Sequence, residues 1–229
     1  MQDKPSQFVH WFRAASPYIH AHRGQTFVIS FGGEAAMGEG FQGFIHDIAL
    51  LDSLGIRLVL VAGIRPQIDQ RLNERGIKIH YAQGLRITDE EALICVKEAA
   101  GTMCIDLEAL LSMGLANSPM ASARIRVAAG NFVTAKPLGV RDGIDFRHTG
   151  EVRRVDSEAI NTCLAQGDIV VVPPLGYSPT GEVFDLEVHE VAVAVAESIR
   201  ASKLIFMLED QGIVDAEGEL IRQLTQKEA

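Results

Sequence analysis

An α/β domain with a mostly parallel sheet is predicted, and three features of the 229-residue chain predict it. Thr26 to Phe31 is a β-rich apolar run that ends in Gly32-Gly33, the pattern of a buried strand delivering its carboxyl end to a turn. Phe41 to Leu54 then carries apolar residues at helical spacing and stops at Gly55, before a second apolar run from Arg57 to Ala62. A helix between two strands makes a βαβ unit, whose strands run parallel. The same alternation returns near the end, where helical stretches precede the apolar runs Asp168–Val172 and Lys203–Leu208.

Taken in order, Phe8 to His22 places Phe8, Trp11, Phe12, Ala15 and Ile19 at helical spacing, with Pro17 bending the segment and Gly24 after it. Residues 1–24 therefore read as an amphipathic helix in front of the domain. Its aromatic stripe, with Trp11 and Phe12 at the centre, has two readings: packing on its own domain, or contact with another subunit. The paired Gly32 and Gly33 remove side chains where backbone N–H groups could approach an oxyanion; a tight turn without a ligand is the other reading. Gly63-Ile64-Arg65-Pro66-Gln67 closes the second strand, and Pro66 suits the first turn of a helix through Arg75, so a helix N-terminus, a ready anion site, opens there too.

Thr88 and Glu91 are spaced as a capping box for a helix from Asp89 to about Ala116. Arg86 stands beside that turn, either facing the same cleft or as a solvent-exposed loop arginine. Ala123 to Pro137 reads as a hairpin around Gly130-Asn131, and Gly150 to Val155 as a further strand, together the makings of a flap. Asp156 caps a helix to Gln166. Pro173-Pro174-Leu175-Gly176-Tyr177 reads as a rigid loop, Gly181 to Phe184 as a return, and Glu187 to Arg200 as an Ala/Val-rich helix. No internal repeat or linker divides residues 25–229, and Asp215–Ala229 is a polar tail.

Composition narrows the function. With 47% hydrophobic and 22% charged residues the chain is an ordinary globular one, and a net charge of -9 argues against nucleic-acid and anionic-membrane partners. A small-molecule ligand is expected instead. Cys95, Cys104 and Cys163 form no CxxC pair, which suggests neither a disulfide framework nor a metal site and fits a reducing cytoplasm. No apolar run has the length of a membrane span, and no signal peptide is evident. The G-x-G-x-x-G spacing of a Rossmann module is missing after the first strand.

Three segments together resemble the amino-acid kinase family, in particular the domain shared by acetylglutamate kinases and bacterial N-acetylglutamate synthases. Active kinases of this kind read Ile-Lys-Tyr-Gly-Gly-Asn-Ala, Val-His-Gly-Gly-Gly-Pro-Gln-Ile and Gly-Leu-Arg-Val-Thr-Asp. Here the segments are Ile29-Ser30-Phe31-Gly32-Gly33-Glu34-Ala35, Val61-Ala62-Gly63-Ile64-Arg65-Pro66-Gln67-Ile68 and Gly84-Leu85-Arg86-Ile87-Thr88-Asp89. The resemblance implies a three-layer α/β/α sandwich and a ligand cleft formed by Gly32, Gly33, Gly63, Arg65 and Arg86. It also exposes departures. Ser30 stands at the position of the kinase lysine, Ile64-Arg65 replace two glycines, and His189 replaces the catalytic aspartate in a stretch running from Gly181.

Those departures are what N-acetylglutamate synthases show, so the resemblance implies no catalytic or metal-binding residue and no cofactor in this chain. It implies a kinase-like regulatory domain that senses L-arginine and descends from a site for an acetylglutamate-like ligand. The full-length enzyme would transfer acetyl from acetyl-CoA, as substrate, to L-glutamate in the first step of arginine biosynthesis. The acetyltransferase domain and the rest of the kinase-like sheet are missing from this sequence, and the leading helix resembles one that joins subunits into hexamers. The competing reading is an active acetylglutamate kinase-like enzyme in which Lys203 or Arg65 supplies the missing charge.

Overall fold

The structure, a computed structural model, describes residues 4–113, 125–208, 212, 220 and 221. Helix α1 (Lys4–His22) leads into strand β1 (Thr26–Phe31), followed by α2 (Gly33–Met37), α3 (Phe41–Ser53), β2 (Arg57–Ala62) and α4 (Arg65–Glu74). The hairpin β3 (Tyr81–Ala82) and β4 (Leu85–Arg86) precedes the long α5 (Glu90–Ser112). Then come β5 (Arg126–Ala129), β6 (Val133–Pro137), a second small hairpin of β7 (Val140–Arg141) and β8 (Ile144–Asp145), and β9 (Gly150–Val155). The remainder is α6 (Ser157–Ala165), β10 (Asp168–Val172), β11 (Leu175–Tyr177), β12 (Val183–Asp185), α7 (Val188–Ser198) and β13 (Lys203–Met207).

Five strands form an entirely parallel sheet in the order β13-β1-β2-β10-β5. Parallel sheets are covered on both faces, which explains why β1 and β2 read as nearly continuous apolar runs. Phe27, Ile29, Phe31, Leu58 and Leu60 pack on one side with residues of α3, α4 and α5. Val28, Val59, Val61 and Val170 pack on the other with α6, α7 and a smaller sheet, ordered β12-β11-β6-β9. The result is the three-layer α/β/α sandwich, with the small sheet added to one face.

Three local expectations are corrected. Asp89, not Thr88, caps α5, its carboxylate accepting from Ala92 N at 2.8 Å; the Thr88 hydroxyl is turned inward and donates to Asp185 at 2.9 Å. Residues 126–137 are no hairpin, because β5 joins the large sheet beside β10 while β6 pairs with β9 in the small one. Val127 packs on one core and Val133 on the other, so Gly130-Asn131 passes the chain between sheets. Leu175–Tyr177 is a strand rather than a rigid loop, pairing antiparallel with β12, since only Pro173 and Pro174 lack an N–H to donate. The expected end of α5 at Ala116, the start of the hairpin at Ala123 and nearly all of the polar tail lie outside the described residues.

The turns after β1 and β2 lean on each other. A Cβ on Gly33 would collide with Gln67 Oε1 and fall 2.8 Å from Pro66 Cδ and 3.0 Å from Gly63 O, while one on Gly63 would fall 3.1 Å from Phe31 O. These two glycines serve close packing of one strand end on the next. Gly32 differs, because a Cβ there would meet chiefly the tip of the Glu34 side chain, 2.5 Å away. Gly33→Ala is therefore expected to cost about 1–3 kcal/mol through overpacking, and Gly32→Ala much less. Thermal melts of the two variants test this; equal losses would show that Gly32 is as tightly enclosed as Gly33.

Candidate functional site

The carboxyl ends of β1, β2 and β10 open onto one cleft of about 190 Å³, the place where open α/β sheets bind ligands. Gly32, Gly33 and Glu34 from the first turn and Gly63, Ile64 and Arg65 from the second form its floor. Leu85 and Arg86 of β4, Thr149, and the segment from Asp185 to His189 form the walls. The β3–β4 hairpin that carries Arg86 turns through Gln83 and Gly84, both at positive φ, the geometry of a two-residue type I′ turn. The Gln67 side-chain amide donates to Gly33 O at 2.7 Å and fixes the spacing of the two floor turns.

Arg86 is 7% exposed and is the centre of a buried polar cluster. Its Nη2 lies 2.6 Å from Asp69 of α4 and donates to the Tyr81 hydroxyl at 3.2 Å, and its Nη1 lies 3.3 Å from Asp185. Thr149 Oγ1 donates to Arg86 O at 2.5 Å and accepts from Thr88 N at 3.1 Å. Burial works against the Arg86 charge, but Asp185, Tyr81 and Asp69 more than offset it and hold the guanidinium above its ordinary pKa. Burial pushes the Asp185 carboxyl above the usual carboxylate range, against the opposing pull of Arg86 and Thr88. The sequence readings of Arg86 are thus separated: it lines the cleft and is not a loop residue in solvent.

The other wall ends at α7. Glu187 caps this helix, accepting from Glu190 N at 2.9 Å, and its second oxygen lies 2.9 Å from His189 Nδ1. His189 faces the cleft from the first turn of α7. Ser30 is 2% exposed and sits opposite Val61 and Phe206 in the parallel ladder, and the Phe206 ring is 5.3 Å from that of His189. Arg65 lies over the Tyr81 ring at 5.7 Å.

The amino acid kinase family model matches residues 25–229. The chain belongs to the amino acid kinase family. It is similar to an amino-acid acetyltransferase of Pseudomonas fluorescens, at 51% identity over 95% of this chain and 50% of the relative. The N-acetylglutamate synthase of Neisseria gonorrhoeae is a structural neighbour. In its complex with coenzyme A and L-arginine it superposes with a TM-score of 0.85 and 39% identity, over 95% of this chain and 51% of that one. In its complex with coenzyme A and N-acetyl-glutamate the values are 0.84 and 38%, over 93% and 48%. The chain spans about half the length of the curated relatives it matches.

Set against the amino acid kinase pattern, the structure brings Gly32, Gly33, Gly63, Arg65, Arg86 and His189 to one cleft. Ser30 is in the sheet beneath it, not in its lining, and Trp11 and Phe12 lie on α1, away from it. Lys203 does not reach it at all. It opens β13 opposite Phe27, at the amino-terminal end of the sheet, with Nζ 6.0 Å from the Phe27 ring. Sequence reasoning missed Asp69, Tyr81, Thr149, Asp185 and Glu34. Asp185 had a legible signal, lying four residues before His189 in a recognised segment; Asp69, Tyr81 and Thr149 had none, since only the fold gathers them.

Arg86→Met would leave Asp185 buried without its cation, and breaking such a pair typically costs about 3–5 kcal/mol. The sign with pH follows from the raised Asp185 pKa. Folding favours the protonated carboxyl, so the variant is least penalised below the ordinary carboxylate value and loses stability as pH rises through the raised one. Urea titrations of wild type and variant across this window check it. A penalty that does not shrink on acidification would mean that Asp185 is not its source. The exposed Arg75–Glu98 pair, 2.7 Å apart, serves as the control, where removal should cost under about 1 kcal/mol.

Proposed function

We propose that this chain is the kinase-like, non-phosphorylating regulatory part of an N-acetylglutamate synthase, with residues 25–229 as kinase-like domain and residues 1–24 as a leading helix. In this reading the parent enzyme transfers acetyl from acetyl-CoA to L-glutamate in the cytoplasm, opening arginine biosynthesis, and L-arginine is the effector. One observation carries it: at the positions where the resemblance puts the catalytic lysine and aspartate stand Ser30, a buried hydroxyl, and His189, an imidazole engaged with Glu187. Phosphoryl transfer depends on positioned positive charge, and a single cationic contributor is worth roughly a thousandfold or more. The remaining deep cation, Arg86, is already held between two carboxylates. The similarity to synthases over only half of their length supports the assignment to one part of the larger enzyme.

Incubation with ATP, magnesium and N-acetyl-L-glutamate is expected to yield no ADP. Restoring Ser30→Lys and His189→Asp together is not expected to rescue turnover, because Ile64 and Arg65 still fill the glycine positions of the second turn. Steady, acetylglutamate-dependent ADP release by the unaltered chain would instead support the kinase alternative.

The leading helix is read as a subunit contact of a homo-oligomer, hexameric in the parent enzyme. Phe8, Trp11 and Phe12 cluster on α1, with ring centroids 6.4 and 6.3 Å from that of Phe8, and Trp11 and Phe12 are 64% and 54% exposed. Packing on the chain's own sheet does not cover them. Apolar surface of this kind marks interaction sites, and buried aromatic anchors contribute about 2 kcal/mol or more to an interface. Trp11→Ala with Phe12→Ala should lower the mass seen by light scattering and leave the melting temperature of the separated subunit nearly unchanged. An unaltered mass with a lowered melting point would remove the interface.

A further inference from the structure

Outside the cleft, the small sheet and α7 enclose a second depression whose two walls carry opposite charge. Strand β9 is bulged there: Val152 pairs with Ala135 and Arg154 with Thr134, which leaves Arg153 as the extra residue. In an unbroken strand neighbouring side chains point to opposite faces. The bulge instead lets Val152 and Val155 both pack on the core while Arg153 and Arg154 both stay exposed. These four residues border a groove closed on its other side by His189, Glu190, Val193, Ala194, Glu197 and Ser198 of α7. His189, Val193 and Glu197 recur every fourth residue and form one exposed stripe of the helix, with Val193 40% exposed. Glu190 is engaged, accepting from Val152 N at 2.8 Å. The side chains of Arg153, Arg154 and Glu197 have no hydrogen bond or ion pair among the described residues.

A helical ridge beside a groove, with cations on one edge and a carboxylate on the other, is complementary to its own copy turned about a two-fold axis, where every contact occurs twice. We propose that the face formed by β9 and α7 is a docking surface for a second copy of this chain. Each α7 sits in the groove of the other copy, the two Val193 side chains meet near the axis, and Arg153 and Arg154 face the partner's Glu197. Ala194 and Ser198 flank the exposed stripe and are small enough for the two helices to approach closely. Charge decides where such a contact can form. At a net charge of -9 two copies repel over most of their surfaces, and association is favoured where each turns cations toward the other's carboxylate. Glu151, the one carboxylate on β9, is already taken by Lys136 and Arg141 at 2.7 and 2.6 Å, so it leaves Arg153 and Arg154 uncompensated within their own chain.

This face is separate from the aromatic stripe of α1, and the test is made with Trp11→Ala and Phe12→Ala already in place, so that the two contacts are read apart. Light scattering follows the mass. Arg153→Glu with Arg154→Glu should halve it, since losing a two-fold interface splits an assembly in two, and Glu197→Arg alone should do the same. All three reversals together should restore the original mass, because opposite signs meet again across the axis. Val193→Asp should halve the mass by placing two carboxylates at the axis, and the charge exchange should not rescue that variant. The four positions are exposed, and a restored mass cannot come from a chain that fails to fold. With β9 and α7 unaltered, raising the salt concentration should weaken the association, because exposed charges are screened. A mass that no reversal lowers, one that the combined exchange fails to restore, or one indifferent to salt would overturn the proposal; if the face instead receives a different protein, all of these masses stay equal.

Discussion

The Arg86 guanidinium ties together segments that lie far apart along the chain. Asp69 reaches it from α4, Tyr81 from β3 and Asp185 from β12, while Thr149 binds the Arg86 carbonyl and the Thr88 amide. The backbone repeats the connection, with His148 N donating to Thr88 O and Asp185 N to His148 O, both at 2.9 Å. A buried charge is tolerated only when it is paired and hydrogen-bonded, so every element supplying a partner is held to the position at which the terminal nitrogens of Arg86 are paired, while its buried Nε has no hydrogen-bond partner among the described residues. The small sheet, the first hairpin and α4 meet the cleft in a fixed arrangement for that reason. A second link, Gln83 Nε2 to Asp142 at 2.6 Å, fastens the first hairpin to the β7–β8 hairpin at the surface, where water competes and less depends on it.

Much of the large sheet was legible because its strands are buried on both faces and bounded by glycine. Thr26–Phe31, Arg57–Ala62 and Asp168–Val172 were each read with the observed bounds, as was Gly150–Val155 in the small sheet. Helix caps were read where a single residue could do the work, as at Asp156, and misread where two neighbours could. Thr88 and Asp89 are both good caps, and the choice between them is made by Asp185, 97 residues away from Thr88, which needs a hydroxyl. Gly130-Asn131 has the composition of a hairpin turn, yet Val127 and Val133 belong to different cores. Partner strands far along the chain decided that, and local composition carries no trace of them.

The site was legible to the same degree and for the same reason. Glycines and arginines beside strand ends stand out in a sequence because strand ends are where a parallel sheet gathers its ligands. The groups that decide what those arginines can do are not local. Arg86 and Arg65 look equivalent in the sequence, but Asp69 and Asp185 hold the first in ion pairs, whereas the second stands exposed over the Tyr81 ring and acts on Asp185 only at longer range. Diglycine signals are similarly double. Gly33 is required by packing against Pro66 and Gly63, and Gly32 is the one that leaves room, which Glu34 then enters.

On the proposed reading, that redistribution of charge explains how one fold can give up catalysis and keep a cleft. A kinase needs uncompensated positive charge aimed at a transferring phosphoryl group, held there at a standing cost in stability. A regulatory site needs less: a ligand that binds two states of the protein with different affinity. Pairing Arg86 internally removes the cost of an isolated buried cation and makes the wall rigid, and it is compatible with binding because Glu34 and Arg65 on the floor stay exposed. Rigid walls also suit coupling, since a fixed cluster spanning α4, β4 and β12 passes a displacement at the cleft to elements on both sides of it, where a flexible one would absorb it.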